Sequence, residues 1–274
     1  MDKVDRLGWA AGISFTAYGR RIGVRADDAE VLKRLRDRLP YGWRPADSPV
    51  VEHLYSVVAA GNGATGIIRR FNLVYANSFR IARTLELDEA LDLLEGDLQL
   101  SIAAAARGRL FVHAGVVGWR DRAIVIPGRT RSGKTTLVAA LVRAGATYYS
   151  DEYAVFDARG HVHPYLKPLS LRREGGRPPV RCPVESLGGV AGTKPLTVGL
   201  ILVSRFRAGA RWQPRRLTPG QTVLALLADT VPARRRPAAA FATLRQVACH
   251  APALKGTRGE AQDLAPALLE HVRG

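Results

Sequence analysis

Apolar spacing divides the chain into a strand-rich start, an alternating middle and a helical end. Residues 9–18 and 21–25 read as two strands joined across Gly19. Asp27 and Asp28 stand where a helix cap belongs, ahead of Val31, Leu32 and Leu35 on one face, and Pro40 closes that helix. Segments 50–60 and 67–77 read as further strands. Between them Gly61, Gly63 and Gly66 satisfy a G-x-G-x-x-G spacing, but a dinucleotide fingerprint must open a helix and the next segment looks extended. This stretch reads as a glycine-rich hairpin loop. A long helix over 85–107, starting near Asp88, carries a stripe of Leu91, Leu94, Leu98 and Ile102. The domain boundary is expected just before it, giving a small α+β domain of unassigned role at 1–82 and a larger one at 83–274.

Strands are expected in the larger domain at 110–118, 122–127 and 147–150, with a helix at 133–144. Residues 153–157 pair with 161–165 across a turn, and another strand follows at 196–206. Between 173 and 195 the chain is rich in glycine and proline without apolar period, and reads as a long loop acting as a mobile lid. Thr218-Pro219-Gly220-Gln221 forms a capping box with proline at the first helical position. Helices are expected at about 237–249 and 260–272.

Composition narrows the class. With 274 residues, 47% hydrophobic and 24% charged, the chain has the make-up of a folded protein of one or two domains. No apolar run approaches the roughly 20 residues of a membrane helix. The charged N-terminus lacks the apolar core of a secretion signal. Cys182 and Cys249 fit no metal spacing and no disulfide framework, so a reducing cytoplasm is the expected location. The formal charge is +17, and 35 of the 41 basic residues are arginine. Clusters such as Arg234-Arg235-Arg236 are not interleaved with aromatics, which argues against a nucleic-acid partner. A nucleotide meets the charge equally well.

The segment Gly128-Arg129-Thr130-Arg131-Ser132-Gly133-Lys134-Thr135 satisfies G-x-x-x-x-G-K-[ST] at every fixed position. An apolar strand, Ala123-Ile124-Val125-Ile126, precedes it, and a helical pattern beginning at Thr136 follows. Glycines let consecutive backbone N–H groups wrap phosphates, and the helix start adds partial positive charge. Lys134 can reach the terminal phosphates, and the Thr135 hydroxyl can ligate Mg²⁺. The strand at 147–150 ends in Asp151-Glu152, adjacent carboxylates suited to metal coordination or proton abstraction. Read alone, they also fit a solvated acidic turn. His113, on the strand before the loop, is by itself an ordinary packing residue.

Taken together, His113-Ala114-Gly115, the glycine loop and Ser150-Asp151-Glu152 resemble the HPr kinase/phosphorylase family, in order and in spacing. The resemblance covers about 105–170. It implies an α/β (α+β) fold with a P-loop-containing mixed sheet, shared with the phosphoenolpyruvate carboxykinases, and flanking helices. It implies an ATP- or GTP-dependent, Mg²⁺-dependent phosphotransferase acting on a hydroxyl, a serine of a peptide or protein or a small molecule. Residues 128–136, Thr136 included, would bind nucleotide. Thr135, Glu152 and Asp151 would face the metal. Asp151 would accept the acceptor's proton, with His113 close to it and setting its charge. Glu152 stands where the family has a second aspartate. The family's glycine-rich substrate segment has no counterpart here, where Leu166-Lys167-Pro168 stands instead, so HPr itself and phosphorylase activity are not expected. A catalytically silent nucleotide-binding regulator or scaffold is the alternative. The acceptor, the base and any self-association are left open.

Overall fold

A computed structural model describes residues 5, 7–61, 71–128, 132–171 and 179–272. The glycine-rich stretch expected at 61–66 therefore falls, after Gly61, outside the described residues, as do Arg129, Thr130 and Arg131. The chain forms two units, 1–107 and 108–274. Both build mixed sheets, and six α-helices lie among the described residues. No described helix is long and apolar enough to cross a membrane.

The first unit contains β1 (Ala11–Ala17), β2 (Arg20–Ala26), α1 (Ala29–Arg36), β3 (Arg44–Pro45), β4 (His53–Val58), β5 (Asn72–Ala76), β6 (Phe79–Thr84) and α2 (Leu87–Ala105). Its sheet runs β3-β1-β2-β4-β5-β6, with β2 and β4 parallel. Asp28 caps α1 by accepting from the Glu30 backbone N–H at 2.8 Å. Val31, Leu32 and Leu35 are buried, as their spacing predicts. Leu91, Leu94, Leu98 and Ile102 line the buried face of α2. The Tyr55 hydroxyl donates to Asp97 at 2.7 Å and ties β4 to that helix. The boundary expected near 82 cuts through β6, and α2 groups with the first unit because it packs on β5 and β6.

The second unit contains β7 (Leu110–Trp119), β8 (Arg122–Pro127), α3 (Lys134–Arg143), β9 (Thr147–Ser150), β10 (Tyr153–Phe156), β11 (Val162–His163), β12 (Leu169–Leu171) and β13 (Val180–Cys182). A 3-10 turn at Val184–Leu187 follows, then β14 (Thr197–Phe206), β15 (Arg215–Arg216), α4 (Pro219–Leu227), α5 (Pro237–His250), β16 (Ala253–Arg258) and α6 (Ala261–His271). The main sheet runs β11-β10-β7-β8-β14-β16-β15, with β9 also on β7. The central strands β8, β14 and β16 are mutually parallel. Parallel strands covered on both faces read as continuous apolar runs, and Ala123–Ile126 does so. Alternate side chains then serve two cores. Ile124, Ile126, Leu200 and Leu202 pack with α3 and α6. Ala123, Val125, Val198 and Ile201 pack with α4 and α5.

Two expectations are corrected. Strand β16 was not foreseen. Of the expected lid, 173–178 lie outside the described residues, but 179–195 are structured. They contain β13, the 3-10 turn and backbone bonds to β9, Tyr148 N to Val190 O at 2.8 Å and Gly192 N to Tyr148 O at 2.7 Å. A Cβ at Gly192 would stand 2.1 Å from the Tyr149 ring. This part of the segment is packed backbone, not a free loop.

Candidate active site

The site begins with the pairing of β7 and β8. Their antiparallel register sets Ala114 opposite Pro127, and the Gly128 N–H donates to the His113 carbonyl at 3.1 Å. The histidine and the start of the loop are therefore joined through the backbone. At the loop's far end Gly133 adopts the left-handed conformation, φ +82°, and opens α3. That conformation suits glycine for lack of a Cβ. Lys134, the first residue of α3, folds back and donates from Nζ to the Gly128 carbonyl at 2.6 Å. Ser132 presents a buried hydroxyl with no hydrogen-bond partner among the described residues. Thr136, two positions after Lys134, is exposed.

The carboxylates come from the other side of β7. Strands β9 and β10 hold one register along it, Ser150 opposite Val116 and Tyr153 opposite His113. Asp151 and Glu152 fill the gap between them. The Ser150 hydroxyl accepts from the backbone N–H groups of Glu152 and Tyr153, at 3.1 and 3.0 Å, and fixes this turn. Asp151 is 4% exposed. It accepts from the Thr135 hydroxyl at 3.1 Å and from the Tyr148 hydroxyl at 3.1 Å. Thr135 and Asp151, 16 residues apart, thus touch directly.

His113 meets Glu152 rather than Asp151. Its Nδ1 lies 3.7 Å from Glu152 Oε1, and its ring stands 4.7 Å from that of Tyr153. The expectation that it sits beside Asp151 is corrected accordingly. Tyr153 pairs with His113, and Glu152 lies in the bend just before it, outside the regular strand.

The two acids differ in charge behaviour. Burial pushes the Asp151 carboxyl above its ordinary range, against the pull of Lys167, Thr135 and Tyr148. Burial acts the same way on Glu152, but His113, Lys167 and Lys134 outweigh it and hold that carboxyl below its ordinary range. Burial lowers the Lys134 ammonium, while Glu152, Asp229 and Asp151 oppose the shift. Two contributors here escaped the sequence reading. Lys167 reaches the carboxylates from the segment after β11. Asp229, just past α4, arrives because its carbonyl accepts from the His113 N–H at 2.8 Å. Neither lies in a motif, and no local signal marks them.

Among the described residues no group of three or more His, Cys, Asp or Glu side chains could hold a metal unaided. A cation here would need the Thr135 hydroxyl, Asp151 or Glu152, and oxygens brought by a phosphate ligand.

No family model and no curated protein matches the chain. Among solved structures, it is similar to the Hpr(Ser) kinase/phosphatase from Coxiella burnetii, at 14% identity and a TM-score of 0.31. That likeness covers 60% of this chain and 93% of the other.

Proposed function

We propose that the second unit is a nucleotide-dependent phosphotransferase acting on a hydroxyl. One observation carries the reading. The glycine loop before α3 meets a buried aspartate through Thr135, with Lys134 and an acid–histidine pair alongside. The loop fits a phosphate chain. Its lysine donates to a carbonyl of the loop itself, and its serine hydroxyl is buried with no partner among the described residues. Thr135 with Asp151 and Glu152 would hold Mg²⁺, which supplies charge neutralisation when bound.

The divergent acids divide the work. A carboxyl whose pKa is raised is the better proton acceptor once ionised, and one whose pKa is lowered stays anionic. Asp151 takes the proton as the acceptor oxygen bonds to the terminal phosphorus and the bond to the leaving phosphate oxygen breaks. Glu152, kept charged by His113 and the lysines, supports the cation. Transfer of this kind depends mainly on position and charge. The acceptor class is a serine of a peptide or protein, or a small alcohol.

Calorimetry with ATP and GTP, followed by a transfer screen over serine peptides and small alcohols, tests the reading. Lys134→Ala is expected to weaken nucleotide binding by about 1.5–3 kcal/mol, roughly 10- to 150-fold. Unchanged affinity in a folded variant removes the loop from nucleotide binding. Asp151→Asn is expected to bind within a few-fold of wild type while transfer drops by roughly 10²–10⁴. A silent binding protein would bind nucleotide and transfer to no acceptor.

A further inference from the structure

Arg258 ends β16, the strand absent from the sequence reading, and is 2% exposed. A guanidinium carries a permanent charge, and its burial is costly unless an opposite charge answers it. Its hydrogen-bond partners among the described residues are carbonyls. Nη2 donates to the Gly133 carbonyl at 3.0 Å and Nη1 to the Gly259 carbonyl at 3.0 Å. The Phe206 ring lies 5.3 Å from the guanidinium carbon. Nε is buried with no hydrogen-bond partner among the described residues. Glu260 is near enough to act on the charge, yet no described carboxylate forms an ion pair with it.

The position compounds the cost. Arg258 is bonded to the residue that opens α3, where the helix already carries partial positive charge, and the next residue is Lys134. Three positive features converge on one turn. The packing is close as well: a Cβ at Gly133 would stand 2.6 Å from Arg258 Nη2, so this glycine admits the guanidinium as well as the turn. The buried Ser132 hydroxyl, with no partner among the described residues, lies in the same loop. Buried positive charge gathered at one turn suits an anion.

We propose that Arg258 is a phosphate-binding residue of this site, its charge answered by a phosphate held beside Ser132, Gly133 and Lys134. The proposal rests on the nucleotide reading above. It adds a cation supplied by β16, beside the start of α3.

The test uses the full chain with Arg258→Met, Arg258→Gln, Arg258→Lys and, as a control on the nucleotide reading, Lys134→Ala. Calorimetry is run with ATP and with pyrophosphate, and melting is followed without ligand. Replacing an uncompensated buried charge with an uncharged side chain of similar volume is often neutral or stabilising. The uncharged variants are therefore expected to melt at or above the wild-type temperature. They are expected to lose roughly ten- to hundredfold in affinity for both ligands, with part of the loss recovered by lysine. If either uncharged variant folds and binds ATP as wild type does, while Lys134→Ala does not, Arg258 is outside the site and the nucleotide reading stands. If neither uncharged variant folds, the guanidinium serves the empty fold and the proposal fails. If wild type binds neither ligand, both readings fall together.

Discussion

Asp151 and Glu152 share a peptide bond and carry opposite shifts, which gives a pH dependence of defined sign. Asp151 works as a base only when ionised, and burial raises its carboxyl. Transfer is therefore expected to fall with decreasing pH through a value above the ordinary aspartate range of about 3.9. A pH–rate profile of kcat/KM checks this, and an acid limb at or below that range would remove Asp151 as the base. Stability follows from the same shift. The folded chain holds the Asp151 proton more tightly than the unfolded chain, so ionisation costs stability as pH rises through that window. Asp151→Asn is expected to stabilise the protein at neutral pH, with the gain vanishing below about pH 3.9. Glu152 behaves in reverse. Its depressed carboxyl contributes stability above its unfolded-state value, and that contribution is lost as pH falls through the folded value. Glu152→Gln is expected to lower the neutral-pH melting temperature, and denaturation of both variants across pH separates the two signs. At this scale the loop and the acid pair were legible, because each is a contiguous motif. The partner of His113 was not, since it lies in the bend before β10, outside the regular strand.

The element that places Lys134 is α3, and its seat depends on a residue without a side chain. A Cβ added to Gly115 on β7 would stand 2.6 Å from Val138 Cγ2 and 3.8 Å from Lys134 Cβ. The glycine lets the helix lie close to the strand. Gly115→Ala is expected to cost about 1–3 kcal/mol through overpacking and to weaken nucleotide binding as Lys134 is displaced. Melting and calorimetry on one preparation test both effects, and a variant with wild-type stability would show that the helix can yield. Helices α3 to α6 were legible from caps and apolar spacing, as were β7 and β8. Strand β16 was not. Ala253-Leu254-Lys255-Gly256-Thr257-Arg258 lacks alternation, and its extended form comes from parallel pairing with β14. Strand β6 was missed because Phe79 and Arg80 at its start are exposed, leaving little apolar pattern to read. The segment after 179 lacks period because Gly189 and Gly192 serve close packing, the first against Val142 and Val184 and the second against the Tyr149 ring, which no spacing rule registers.

For the whole molecule, the excess charge is one-sided. Residues 108–274 carry 26 of the 41 basic and 10 of the 24 acidic side chains, a net +16, which leaves +1 for residues 1–107. The unit with the candidate site is the one that attracts anions, and ATP association is expected to slow as salt is raised. That unit also has a core on each face of its sheet. Expressed alone, residues 108–274 are expected to melt cooperatively and to bind ATP within a few-fold of the full chain. Circular dichroism and calorimetry decide this, and an unfolded fragment would show that residues 1–107 complete its structure. The parallel join of β14 to β16 has a further consequence for how the protein is made. The loop around Gly128 leaves the ribosome long before Ala253, and pairings across such separations form late. Until β16 and the α6 cover over α3 have been synthesised, β14 is an open edge able to pair with other chains. A nascent chain stalled before Ala253 would therefore be a substrate for chaperones rather than a weaker version of the finished protein.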